Sequence, residues 1–131
     1  MDKLSSSTIQ LLILLVFASL GGHSLPARAA GDAARGADVF AQECAECHSP
    51  KEGKNKKGPS SFGVVGRRAA SLPDFVYSEA LKQSGITWST ERLDAYIANP
   101  RGVVSGGKMK YDGLESGRDR TDLLAYLATL R

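Results

Sequence analysis

The sequence predicts an all-α domain of four to five short helices joined by long irregular loops. Two observations carry this. Apolar residues recur three and four apart in several short runs, and no strand-like alternation persists anywhere. Fourteen glycines and five prolines supply the turns between those runs. At 131 residues, 42% hydrophobic and 24% charged, the chain has the composition of one ordinary globular domain.

The domain starts after a leader. Lys3 lies in a short polar start, an apolar run spans Ile9 to Leu20, and Gly21, Gly22, Pro26 and the small-x-small tripeptide Ala27–Arg28–Ala29 follow. That order describes a secretory signal peptide over residues 1–30, cleaved near 29/30, with residues 31–131 as the mature domain. The apolar run is short of the roughly 20 residues that cross a bilayer as a helix. The alternative is an uncleaved leader that anchors the domain to the membrane. Formal charge is +3 for the whole chain, and loss of Lys3, Arg28 and Asp2 takes it to +2. Nucleic-acid binding, which wants a strongly basic stripe, is not expected. The four lysines between Lys51 and Lys57 read as a solvated loop.

Gly31–Asp32 offers an N-cap for a first helix, with Val39, Phe40 and Glu43–Cys44 at helical spacing. Residues from Lys51 to Arg68 form a loop broken by glycine and proline. Pro73 opens a second short helix over Asp74–Lys82, with Phe75 or Val76 on one side. Ser89 caps a third, in which Leu93, Tyr96 and Ile97 share a face and Asn99–Pro100 is the stop. Arg101 to Gly117 is expected to be loop. The last helix runs through Arg120–Arg131 and sets Leu123, Leu124, Tyr126, Leu127 and Leu130 on one side. So few apolar positions make a thin core for about 100 residues, because small domains bury a low fraction of their surface. Loops this long need something else to pack on.

Cys44 and Cys47 are the only cysteines, and His48 adjoins the second. A thioredoxin-like pair wants a βαβ setting, and a zinc site wants four ligands where the mature chain offers three. A disulfide spanning two residues closes too small a loop to stabilise much and leaves His48 unexplained. C-x-x-C-H is the attachment signature of c-type haem, which uses all three residues. Each thiol adds across a haem vinyl group and His48 sits under the iron. The haem also provides the missing apolar mass. With Met1 in the leader, Met109 is the sole remaining thioether and the candidate for the second axial position, in a glycine-rich loop.

With these residues the chain resembles class I cytochrome c, of the mitochondrial and bacterial cytochrome c2 kind. The likeness runs in order from G-D-A-A-R-G-A-D-V-F through C-A-E-C-H, K-G-P, G-V-V-G-R, F-V-Y-S-E-A-L, G-I-T-W, N-P, K-M and Y-D-G-L to D-L-L-A-Y-L. It implies an all-α class I fold around one covalently bound haem c, with iron between His48 and Met109. The first and last helices would meet at Gly36, Phe40 and Tyr126. It also implies that the Pro59 carbonyl accepts from His48, that Arg67, Tyr77 and Trp88 surround a buried haem propionate, and that Tyr96 lies near the methionine side. Trp88 and Tyr77 would serve equally as core packing, since both rings are amphipathic.

Three positions depart from the family pattern: Ser61 where leucine is usual, with Phe62 to compensate, and Ser105 and Gly107 where proline and threonine are usual. The resemblance implies a periplasmic, monomeric, non-enzymatic electron carrier without stable membrane insertion. Its partners would be redox proteins of the respiratory or photosynthetic chain: a bc1-type complex, an oxidase, a reaction centre or a periplasmic dehydrogenase. Lys56, Lys57, Arg101 and Lys108 would form a docking face that Glu43 and Glu115 leave incomplete. The alternative is a peroxidase-like or gas-binding haem protein, should Met109 leave the iron.

Overall fold

A computed structural model describes residues 30–131. The expected signal peptide therefore lies outside the described residues, apart from Ala30. Five helices follow in order: α1 (Ala33–Glu43), α2 (Glu79–Gln83), α3 (Thr90–Ala98), α4 (Pro100–Val103) and α5 (Gly117–Leu127). Among the described residues the only β-type pairing is an isolated bridge between Arg68 and Thr87, so the all-α expectation holds.

α1 begins where Asp32 accepts from the amides of Ala34 and Arg35, satisfying two of the donors that a helix start leaves free. It packs most heavily on α5. A Cβ on Gly36 would run into the Asp122 carbonyl and come within 2.8 Å of the Tyr126 Cβ, so the two backbones touch at this point. The Phe40 and Tyr126 rings meet beside it at 5.6 Å. Asp122, buried in α5, fixes the entry to α1: its Oδ1 accepts from the Asp32 amide at 2.8 Å. Its Oδ2 lies 3.2 Å from Arg35 Nε without a hydrogen bond's alignment.

Three expectations on helix limits are corrected. The segment after Pro73 is not helical until Glu79. Ser78 is extended and accepts from the Leu81 amide, so it caps α2, and Tyr77 before it is turned into the core against Phe75. The stretch Arg101–Gly117 is not all loop. Asn99 accepts from the Gly102 amide and Pro100 takes the first helical position, which makes the Asn–Pro pair a start for α4 as well as a stop for α3. The last helix, expected over Arg120–Arg131, is also displaced: α5 starts at Gly117, where Ser116 caps it through the Asp119 amide, and ends at Leu127.

The core has two clusters. Ile86, Trp88, Leu93, Val104 and Leu124 centre one, and Phe40, Leu123 and Leu127 the other. Val64, Val65 and Ile97 pack against both and join them. Arg120, nearly buried, ties α5 to α3 through Asp94 at 2.8 Å and also donates to the Leu114 and Glu115 carbonyls.

Candidate haem site

The site begins where α1 ends. The Phe40 carbonyl accepts from the amides of both Cys44 and Ala45, and the Cys44 carbonyl accepts from both Cys47 and His48. This rolls C-A-E-C-H into one tight turn that presents the two half-buried thiols and the imidazole together. Burial, then the charges of Glu43 and Cys47, push the Cys44 thiol up to about 11. A redox-active pair depends on an easily formed thiolate, and this thiol is the opposite. No group of three or more His, Cys, Asp or Glu side chains able to hold a metal ion gathers among the described residues.

His48 is held from two sides. Its Nδ1 donates to the Pro59 carbonyl at 2.8 Å, which leaves Nε2 as the free lone pair of the neutral ring. Burial pushes its pKa below the usual histidine value, against the Pro59 bond, and the nearby Arg67 and Lys56 charges push the same way as burial. The ring lies flat against Gly58, where any Cβ would strike Cε1 and come within 2.9 Å of Nε2. The Gly58 amide in turn donates to Cys47 at 2.7 Å. A neutral imidazole in a glycine cradle beside two thiols is a donor set that fits a covalently attached haem iron.

The loop carrying Pro59 is fastened by residues that the sequence reading passed over. Asn55 accepts from the Ser60 amide and donates to the Asp74 carbonyl. The buried Ser60 hydroxyl donates to the Lys51 carbonyl at 2.6 Å and accepts from the Phe62 amide. Ser61 is half-buried, its amide on the Ser49 carbonyl. Asn and Ser within a glycine–proline loop are the only sequence signal for these brackets.

Arg67 is half-buried and spends its guanidinium on the Phe62 and Ser60 carbonyls, at 2.7 and 2.9 Å. Burial lowers its pKa while Tyr77 opposes the shift, which places the Tyr77 hydroxyl in its field. Backbone bonds from Gly66 and to Arg67 seat Trp88 alongside, and Trp88 packs on Tyr96 with ring centres 4.8 Å apart. Burial raises the Tyr96 pKa. Arg67, Tyr77, Trp88 and Tyr96 are thus one neighbourhood. Met109 is half-buried in the loop after α4 and belongs to neither core cluster. Two residues on, the Tyr111 hydroxyl donates to Glu43 Oε2 at 2.8 Å. Burial first, and then that carboxylate, raise the Tyr111 pKa.

The basic residues are mostly engaged. Lys56 donates to the Ala45 carbonyl, Lys57 pairs with Glu46 at 2.5 Å, and Arg101 pairs with Asp112 at 3.4 Å. Lys108 is exposed.

The fold and the turn at Cys44–His48 have the build of a small all-α haem protein, and C-x-x-C-H fits covalent attachment of the cofactor. Comparison with known proteins narrows the class. The sequence profile of the family described as Cytochrome c matches residues 33–131. Cytochrome c2 of Rhodomicrobium vannielii is 47% identical over 107 residues, covering 81% of this chain and 85% of that protein. Cytochrome c of Euglena viridis is 40% identical over 101 residues, covering 77% of this chain and 99% of that protein. The solved structure of cytochrome cH from Methylobacterium extorquens superposes with a TM-score of 0.70 at 40% identity, covering 76% of this chain and 99% of that one. The chain belongs to the cytochrome c family, in its class I form. It is a haem electron carrier and not an enzyme, and its cofactor is haem c, covalently attached and iron-bearing.

Proposed function

We propose that the chain is a periplasmic carrier that holds its haem iron between His48 and Met109 and passes single electrons between membrane-bound or periplasmic redox proteins. The observation that carries this reading is the His48 cradle: a neutral ring with Nδ1 engaged by Pro59, its face closed by Gly58 and its Nε2 left to ligate. Cys44 and Cys47 are the thioether anchors. Met109 is the second ligand, and a thioether opposite imidazole favours ferrous iron and raises the potential. The bound haem supplies an Fe(II)/Fe(III) couple with no bond made to a substrate. Arg67, Tyr77 and Trp88 would meet the charge of a buried propionate, which is costly to bury unpaired.

Export rests on the leader-like residues 1–30, and no helix among the described residues is long and apolar enough to cross a membrane. Partners of the bc1, oxidase, reaction-centre or dehydrogenase kind would dock transiently on the face of Lys56, Lys57, Arg101 and Lys108. Since Lys57 and Arg101 are each paired with a carboxylate, steering should be mild.

A reduced-minus-oxidised visible spectrum of exported protein tests the reading. Sharp c-type bands with a red sulfur–iron band in the ferric form are expected. High-spin ferric haem, or immediate carbon monoxide binding by the ferrous form, would refute Met109 ligation and favour a peroxidase-like or gas-binding role. One observation keeps that second reading in view: Ser105–Lys108 is exposed and makes a single backbone bond, Gly107 to Val104.

A further inference from the structure

We propose that Tyr111 and Glu43 form a clasp between the two chain segments that grip the haem, with Tyr111 acting as a positioning residue for Met109. The inference rests on the reading of Met109 as a ligand and adds what keeps it there.

The segment from Val104 to Leu114 is fastened at its two ends. At the first, the Gly107 amide turns back onto the Val104 carbonyl at 3.1 Å. At the second, the Leu114 amide donates to Ile97 at 3.0 Å, Gly113 lies under the Ala98 carbonyl, and Arg120 holds the carbonyls of Leu114 and Glu115. Between these ends, Ser105, Gly106, Gly107, Lys108 and Lys110 are exposed, and Gly106 has a φ of 83°. A glycine-rich stretch of this kind gains much conformational freedom on opening.

Among the described residues, one side-chain hydrogen bond holds the middle of the segment: Tyr111 to Glu43, across 68 positions of sequence. The Arg101–Asp112 pair, 3.4 Å apart with both side chains mostly in solvent, adds little. Glu43 is the last residue of α1 and the neighbour of Cys44. The bond therefore joins the end of the attachment helix to the segment that carries the opposite ligand. A hydroxyl on a carboxylate is among the stronger hydrogen bonds, and this one lies at the surface with the Tyr111 ring half-buried. The clasp lies on the far side of Met109 from Ser105 and Gly107.

The test uses ferric holoprotein titrated with imidazole, read by loss of the red sulfur–iron band, in Tyr111→Phe, Glu43→Ala, Glu43→Gln and the double variant Tyr111→Phe/Glu43→Ala. Losing one such bond should tighten apparent imidazole binding by about fivefold, because the open form becomes that much more populated. The double variant should bind no more tightly than either single one, since each change breaks the same bond. Glu43→Gln, which keeps an acceptor oxygen, should fall between wild type and Glu43→Ala. Single variants that bind as wild type does, additive effects in the double, or a Gln variant equal to Ala would each overturn the clasp. Amide hydrogen exchange gives a readout independent of the iron: the bonded amides of Gly107 and Leu114 should exchange faster in Tyr111→Phe while those of 117–127 do not. A wild-type ferric spectrum lacking the sulfur–iron band would instead remove Met109 from the iron, and exchange at Gly107 and Leu114 would still decide the clasp.

Discussion

Replacing Gly36 by alanine sets two physical effects against each other. Alanine in a helix interior is favoured over glycine by roughly 1 kcal/mol. Gly36, however, lies where α1 touches α5, and the added Cβ would sit 2.6 Å from the Asp122 carbonyl carbon and 2.8 Å from the Tyr126 Cβ. Carbon atoms prefer about 3.5–4.0 Å, so the helices would have to part by about 1 Å. Overpacking of this sort costs about 1–3 kcal/mol, and obstruction by backbone rather than by a yielding side chain puts it at about 3 kcal/mol. The net expectation is a loss of about 2 kcal/mol, or roughly 10 °C in Tm for a domain of this size. Thermal and guanidinium unfolding of the holoprotein, followed by far-ultraviolet circular dichroism, measures it. Gly117→Ala is the matched control: it opens α5, has no left-handed φ, and its nearest neighbour is the end of Arg120 at 3.6 Å. It should be neutral or slightly stabilising. A Gly36→Ala protein as stable as wild type would mean that the α1–α5 contact is slack, and the reasoning would fail.

Asp122→Asn keeps an acceptor for the Asp32 amide and should cost under about 1 kcal/mol, whereas Asp122→Leu strands that amide and should cost about 2 kcal/mol; chemical denaturation separates them. Gly58→Ala should push the His48 ring off the Pro59 carbonyl, seen as lower haem incorporation and shifted ferric bands, while far-ultraviolet helicity is kept. Tyr111 has a raised pKa, so whatever its phenol contributes to stability is intact below the ordinary tyrosine value of about 10 and is lost only as pH climbs through the higher folded value. Ultraviolet tyrosinate titration of wild type and Tyr111→Phe should therefore coincide near that ordinary value, and a smaller amplitude in the variant would contradict the shift.

The chemistry was more legible than the scaffolding. Cys44, Cys47 and His48 are adjacent in sequence, so the attachment motif needs no fold to be read. The caps at Asp32 and Ser89 were equally local, and α1 and α3 start where they say. Of the three other starts, which went unread, two had another signal standing nearby. Pro73 resembles a helix opening, but the hydroxyl of Ser78 supplies the cap that α2 uses. Asn99–Pro100 resembles a stop, yet the same pair caps and begins α4. What sequence alone did not offer were links over distance: Asn55 and Ser60 bracing the Pro59 loop, Asp122 reaching the head of α1, and Tyr111 meeting Glu43. Each is a polar side chain whose partner depends on how the loops fall, and no periodic pattern marks it.

The closure of α1 on α5 also bears on the order of assembly. An eleven-residue helix is marginal alone in water, and the surface that α1 needs is made of α5, which is synthesised well after it. The two thiols therefore emerge on a strand of chain with nothing yet to fold against, open to whatever machinery joins them to the porphyrin. α5 arrives later and closes over α1 as a bolt.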